Sequence, residues 1–347
     1  MTTVNREVPP GRILVIGGYG AVGATVTGTL EEWFPGRVVP AGRDVARARR
    51  LGGIGVDIGD VPGLGRVLDE LADVRVVVLC VEPRDAGPAR LCLERGIHLV
   101  DVGASHRLLS LVAELDGPAA RAGAAAVLSV GVAPGLTSLL ARRAHEAVGG
   151  ARSLDLTVLL GTGERHGADA VRWTVAGLSE PVTARPQRVA LPGYGTRTAH
   201  PFAFSDQHTV RQTLGIPRAT TRLCLDSRPL TAALFGLRRL GALRGTRRPA
   251  QQRLFTRAFG MVHLGGDGFA LRADAHNGDR HAVRALTGQG QGRVSGLVAA
   301  HAARAVYTGR VSAGVHHIEQ LDVLADLPER LAAHGVTLWE DENWERR

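Results

Sequence analysis

Three glycines at the spacing GxGxxG carry the clearest chemistry in this sequence. Gly18, Gly20 and Gly23 stand in the run Ile13-Leu14-Val15-Ile16-Gly17-Gly18-Tyr19-Gly20-Ala21-Val22-Gly23, between an apolar segment and an amphipathic one. In that setting Gly18 is expected to permit a tight turn, Gly20 to let backbone approach a pyrophosphate, and Gly23 to allow close helix–strand packing. A helix start there offers free N–H groups and a positive dipole end to phosphates. The next chemistry-bearing position is the end of the second apolar run, Ala41-Gly42-Arg43-Asp44. A carboxylate there would hold both ribose hydroxyls of NAD, whereas Arg43 can make a charge-assisted, bidentate contact with a 2′-phosphate. The expected cofactor is therefore NADP(H), with Asp44 as the N-cap of the following helix.

Groups able to move protons follow later in the chain. Asp101 closes an apolar run, where a carboxylate can bind a substrate amine or manage its proton, or simply order its own loop. Glu164 and His166 lie in the glycine-rich stretch Gly161-Thr162-Gly163-Glu164-Arg165-His166-Gly167, suited either to acid/base work near neutral pH or to a surface role. Asp206, in Phe204-Ser205-Asp206-Gln207-His208, reads as a helix N-cap or a site carboxylate, and Trp173 as core or substrate platform. The sequence has no lysine, which excludes Schiff-base chemistry on the protein. Cys80, Cys92 and Cys224 are too few and scattered for a disulfide framework or zinc cluster. His263, His276 and His281 lack ligand spacing, so no metal site is expected.

The elements that must position these residues alternate regularly. Strands are expected at Arg12 to Ile16, Arg37 to Ala41, ending near Ile58, at Arg75 to Cys80, Ile97 to Val102 and Ala125 to Val130. Helices lie between them, at Ala21 to Trp33, Val61 to Leu71 and Ala86 to Arg95. This alternation predicts an α/β, Rossmann-type doubly wound parallel sheet. After about residue 150 the rhythm changes. A strand at Leu154 to Leu160 and a helix at Ala168 to Leu178 precede three strand-like runs from Arg253, separated by the turns Gly265-Gly266-Asp267-Gly268 and Asn277-Gly278-Asp279. The expected division is a nucleotide domain over 1–133, an α+β substrate and dimerisation domain with an antiparallel sheet over 134–290, and a C-terminal helix and tail over 291–347 returning to the first domain.

Composition narrows the class. The 347 residues are 44% hydrophobic and 22% charged, which excludes disordered and collagen-like architectures. Ala122 to Ala141 is twenty residues without a charge, but Gly131-Val132-Ala133-Pro134-Gly135 interrupts it, predicting strand, turn and helix start rather than a membrane span. The polar opening MTTVNREVPP lacks an apolar signal-peptide core, so a cytoplasmic location is expected. The net charge of +9 is concentrated between Ser227 and Gly266, where eight arginines from Arg228 to Arg257 stand with no acid. That window reads as a solvated face, a dock for an acidic partner or carrier, or, least in keeping with its few aromatics, a nucleic-acid patch.

The ordered set GGYGAVG, AGRD, Asp57, LERGIHLVDVGAS, VLSVGVAPGLTSLLA, GTGERHG and FSDQ resembles the saccharopine dehydrogenase (saccharopine reductase) family over most of the chain. The resemblance implies a nicotinamide-dependent oxidoreductase acting at a C–N bond of an amino-acid or amine substrate, usually as a homodimer. It implies that Gly18, Gly20, Ala21 and Val22 hold the pyrophosphate, with Gly23 packing the helix behind them, Arg43 the 2′-phosphate, and Asp57 with Ile58 the adenine side. Cys80, Val81, Asp101, Gly103, Val132, Pro134 and Gly135 would lie toward the nicotinamide. Two departures bear on the substrate: Leu99 stands where relatives more often have Tyr, and the lysine some members use in catalysis is absent. The rival expectations are an NADPH-dependent C=C or C=O reductase on a small or carrier-bound acyl substrate, and a non-catalytic NADPH-sensing regulator.

Overall fold

The computed structural model describes residues 11–163, 177–178, 184–240, 265–341 and 344. Two sheets organise them, in two compact units: 1–103, 108–128 and 299–316 in the first, and 104–107, 129–298 and 317–347 in the second.

The first sheet is built from short, nearly continuous apolar runs, as strands covered on both faces must be. β1 (Arg12–Ile16), β2 (Val38–Gly42), β3 (Ile54–Gly55), β4 (Val74–Leu79), β5 (His98–Asp101) and β6 (Ala125–Leu128) pair in parallel. The helices between them are α1 (Gly23–Trp33), α2 (Val45–Arg50), α3 (Val61–Glu70), α4 (Gly87–Glu94), α5 (His106–Ala113) and α6 (Asp116–Arg121). Ile13, Leu14, Val15, Val76, Val77 and Val78 are fully buried. With β13 (Gly314–His317) at one edge, the spatial order β13-β6-β5-β4-β1-β2-β3 reverses direction between β1 and β4, which opens a crevice beyond the carboxyl ends of those strands. Asp44 and Asp60 start α2 and α3 as expected of N-caps, accepting from the backbone N–H of Arg47 and of Gly63.

The second sheet holds β7 (Ser153–Leu160), β8 (Gln187–Leu191), β9 (Gly195–Pro201), β10 (Arg218–Leu225), β11 (Gly268–Asn277), β12 (Arg280–Gln289) and β14 (Thr337–Trp339), in the order β14-β12-β11-β7-β10-β9-β8. The tight turn at Gly278 and Asp279 joins β11 to β12, with Gly278 at φ +60°, as the Asn-Gly signal predicts. The sheet is mixed rather than wholly antiparallel: β7 runs parallel to β10 and antiparallel to β11. Strands β8, β9 and β10 escaped the sequence reading because their polar residues interrupt the apolar pattern. Helices α7 (Leu136–Ala147), α8 (Asp206–Thr213) and α9 (Arg228–Arg239) accompany it, while α10 (Gln291–Tyr307) begins in this unit and belongs to the first from Ala299 on.

The C-terminal return is partly as expected. β13 (Gly314–His317) joins the first sheet beside β6, held by Gly314 N–H to the Ala124 carbonyl and by Val315 N–H to Asp116. The tail does not stay there, since β14 pairs with β12 through Leu338 and Leu286. Ala122 to Ala141 divides into β6, a glycine-rich turn and α7, and no helix among the described residues is long and apolar enough to cross a membrane.

Candidate functional site

The loop between β1 and α1 has the geometry its glycines require, with one reassignment. The left-handed residue is Gly17, at φ +83°, rather than Gly18, so the tight turn falls one position before the motif. Gly18 is needed for space: a Cβ there would lie 2.8 Å from the Val15 carbonyl oxygen and 2.9 Å from the Thr27 hydroxyl, which donates to the Gly18 carbonyl. Gly23 meets its expectation most sharply, because a Cβ would stand 2.1 Å from the Gly17 carbonyl oxygen. Gly20 is exposed, its N–H donates to the Gly17 carbonyl, and among the described residues a Cβ there would meet only that oxygen, at 3.2 Å, which leaves the space over its Cα open to an incoming group.

The carboxyl end of β2 adds a feature that sequence reading missed. Tyr19 reaches from the glycine loop across Gly42, and its hydroxyl accepts from the Asp44 N–H at 2.8 Å. A side chain at residue 42 would collide with it, since a Cβ there lies 2.5 Å from the phenol oxygen. Arg47 covers the same ring, its guanidinium 4.8 Å from the centroid, and donates to the Tyr19 carbonyl. Arg43 is exposed beside them and makes no hydrogen bond or ion pair among the described residues. The Tyr19 to Arg47 pairing bridges 28 residues, and only the AGRD glycine hinted that something bulky crosses there.

Farther along the same sheet edge, Asp57 accepts from the Gly59 N–H in a local turn, and Ile58 packs against the core. Val81 abuts the glycine loop: its Cγ1 would lie 2.7 Å from a Cβ on Gly17. Cys80 is held as the neutral thiol, its pKa pushed up to about 12 by burial and then by the nearby Asp101 charge. Asp101 is 2% exposed, and its carboxylate accepts from the Gly103 N–H at 2.8 Å. Burial pushes Asp101 up to about 6, helped by Glu82 and opposed by the Gly103 hydrogen bond. A carboxyl group poised near neutrality at a strand end is equipped to hold or release a proton.

The second unit contains a different kind of site. The segment after β6 folds back on itself through a bridge between Gly131 and Gly135, with Gly135 at φ +137° and its Cβ position blocked by the Gly131 oxygen. Val132 N–H donates to the Ser295 hydroxyl within this unit. Asp206 is not a helix cap. It is fully buried at the first residue of α8, and its Oδ1 accepts from the hydroxyls of Thr137 (2.5 Å) and Ser138 (3.0 Å) at the start of α7. Its Oδ2 has no hydrogen-bond partner among the described residues, and burial pushes the group up to about 6. Glu319 is equally buried, accepts from Thr213, and is pushed up to about 7 by burial. Ser129, at φ +60°, lies 2.9 Å from Nδ1 of His317, whose pKa burial and His106 lower to about 4.

Glu164, His166 and Trp173, together with the helix expected at Ala168 to Leu178 except for Gly177 and Leu178, lie outside the described residues, as do the run from Arg253 and five of the eight window arginines. Of the other three, Arg228 and Arg238 donate to the carbonyls of Thr196 and Pro201, while Arg239 is exposed. His276 and His281, expected near the hairpins, stack across the β11–β12 hairpin with centroids 4.3 Å apart.

No family model matches the chain, and no curated protein matches its sequence. Solved structures do match. A diaminopimelate (DAP) dehydrogenase of C. glutamicum in complex with DAP aligns at TM-score 0.50 and 15% identity, over 93% of this chain and 98% of that one. An engineered D-amino acid dehydrogenase bound to NADP+ aligns at TM-score 0.50 and 13% identity, over 94% and 99%. At these identities the likeness is one of fold: the chain shares the architecture of these two dehydrogenases.

Proposed function

We propose that this chain is an NADP(H)-dependent oxidoreductase, resembling saccharopine dehydrogenase, that transfers hydride at the C–N bond of an amino-acid-like substrate. The observation that carries the cofactor reading is the acid-free end of β2, where Arg43 is exposed and free of partners among the described residues. The donor set fits the group. Gly20 leaves an open approach for a pyrophosphate, with Gly18, Ala21, Val22 and Gly23 shaping the loop around it, and Arg43 presents a guanidinium fork for a 2′-phosphate. Tyr19 and Arg47 give that end of the strand a rigid aromatic and cationic wall. Asp57 and Ile58 would lie on the adenine side, and Cys80, Val81 and Gly103 toward the nicotinamide.

When bound, the nicotinamide gives or takes the hydride. The chain orients the reacting carbons and manages the proton on the substrate nitrogen. Asp101, raised to about 6, is the described group best suited to hold that proton, and its hydrogen bond from Gly103 fixes the carboxylate. Support for the amine substrate comes from the family resemblance and from two neighbours of the same fold whose names record amino-acid dehydrogenases.

The test is NADPH oxidation by purified protein against a panel of amines paired with 2-oxoacids. Turnover on one amine–carbonyl pair, falling with Asp101→Asn more in kcat than in KM, is the expected result. Turnover only on a carrier-bound acyl substrate would overturn the C–N assignment.

A further inference from the structure

The second unit has a surface groove of about 380 Å³ lined by His208, Arg211, Gln212, Gly215, Ile216 and Pro217. A volume of that order suits a small molecule. His208, Arg211 and Gln212 are spaced i, i+3 and i+4 on α8, so one face of the helix supplies all three polar groups. The loop that follows α8 closes the other side.

The charges around this groove are one-sided. Arg211 is exposed and makes no hydrogen bond or ion pair among the described residues. His208 is half-buried and stacked on His106, with ring centroids 4.1 Å apart and planes 14° from parallel. Besides its burial, the groups acting on His208 are His106 and Arg211, both basic, and all three influences lower its pKa. Asp206, on the same helix, is committed to Thr137 and Ser138. Gln207 lies 3.2 Å from the Thr221 hydroxyl, which donates to the Phe202 carbonyl. The Gln207 amide and Nε2 of His208 are 3.2 Å apart. A guanidinium fork, an imidazole and a primary amide thus line one small groove, and no carboxylate is among its lining residues.

We infer that this groove is an anion subsite that takes a carboxylate of the substrate, with Arg211 as its charged ligand and the His208 imidazole beside it. It rests on the amino-acid-like substrate proposed above and adds the residues that would recognise such a molecule's carboxylate.

The experiment uses the full chain, with glutarate as probe and glutaramide as its uncharged match. The histidine Cε1–H resonances are followed by NMR, and the His208 signal is assigned by its loss in His208→Gln. Glutarate is expected to shift that signal saturably and to raise the pKa of His208, because an anion favours the imidazolium. Arg211→Gln should weaken glutarate binding by roughly tenfold or more, with Arg211→Lys partly restoring it. Equal binding of glutaramide, equal binding by Arg211→Gln, or no binding of glutarate would overturn the subsite. NADPH affinity, measured on the same samples, is expected to be unchanged by Arg211→Gln. Absent NADPH binding would defeat the oxidoreductase reading while leaving the glutarate result to stand or fall separately.

Discussion

The two units solve the placement of polar groups in opposite ways. In the first, the candidate cofactor edge is made mostly of backbone: Gly17, Gly18, Gly20 and Gly23 shape a loop by lacking side chains, and the charged residues beside it, Arg43 and Arg47, are exposed. In the second, polarity is buried. Asp206, Glu319, Ser129 and His317 are each buried, and each is tied to a partner far away in sequence. An exposed glycine loop beside exposed arginine is the arrangement an anion would need. A buried layer of carboxyl and hydroxyl groups is arranged to fix elements against one another, with ionisation penalised by desolvation.

The contrast can be broken most forcefully at Gly23. Gly23→Ala places a methyl group 2.1 Å from the Gly17 carbonyl oxygen, a backbone atom that cannot swing aside. A loss of about 3 kcal/mol or more in denaturant stability is expected, along with loss of nucleotide binding. A Gly23→Ala variant with wild-type stability would mean that the loop does not pack as described.

Glu319 sharpens the other side through pH. Its folded pKa of about 7 lies above the usual carboxylate value, so the native state keeps a proton that the unfolded state releases. Stability should therefore fall as pH rises from about 4.5 to 7, by on the order of 2–3 kcal/mol, and Asp206 should add a similar fall between about 4 and 6. His317 acts in the opposite sense between about 4 and 6.5, because its neutral form is the one buried. Glu319→Gln should flatten the decline near pH 6–7 in thermal melts, and an unchanged pH profile would count against a buried, protonated Glu319.

Asp206→Ala leaves the Thr137 and Ser138 hydroxyls without their acceptor, an expected loss of about 1–3 kcal/mol. NADPH affinity should fall less than in Arg43→Ala, because Arg43 and the glycine loop lie in the other unit. Denaturant midpoints and a nucleotide titration on one preparation check both halves. The smallest effect is expected from Tyr19→Phe, which removes the acceptor for the Asp44 N–H at a cost of about 0.5–1.5 kcal/mol in stability.

Legibility in the sequence follows the same divide. The parallel sheet could be read because its strands are short apolar runs between helical patterns, and the glycine loop because only glycine satisfies its geometry at that spacing. Asp44 was legible as a cap because capping is local. Asp206 was not, since its hydrogen-bonding partners lie 69 and 68 residues away and nothing near it in sequence records them. Ser129 with His317, 188 residues apart, and Thr213 with Glu319, 106 apart, escaped for the same reason. The strands β8 to β10 were missed because Arg188, Arg197 and Arg222 mask their alternation. Arg222 is in fact buried, paired with Asp155 on the neighbouring β7.

The central claim is that the edge carrying the glycine loop and Arg43 binds NADP(H) in preference to NAD(H). The direct measurement is the affinity of wild-type protein and Arg43→Ala for NADPH and NADH. Wild type should prefer NADPH, and Arg43→Ala should lose about 1.5–3 kcal/mol toward NADPH with little change toward NADH. An Arg43→Ala protein that binds NADPH as tightly as wild type, or a wild type that binds neither nucleotide, would contradict it.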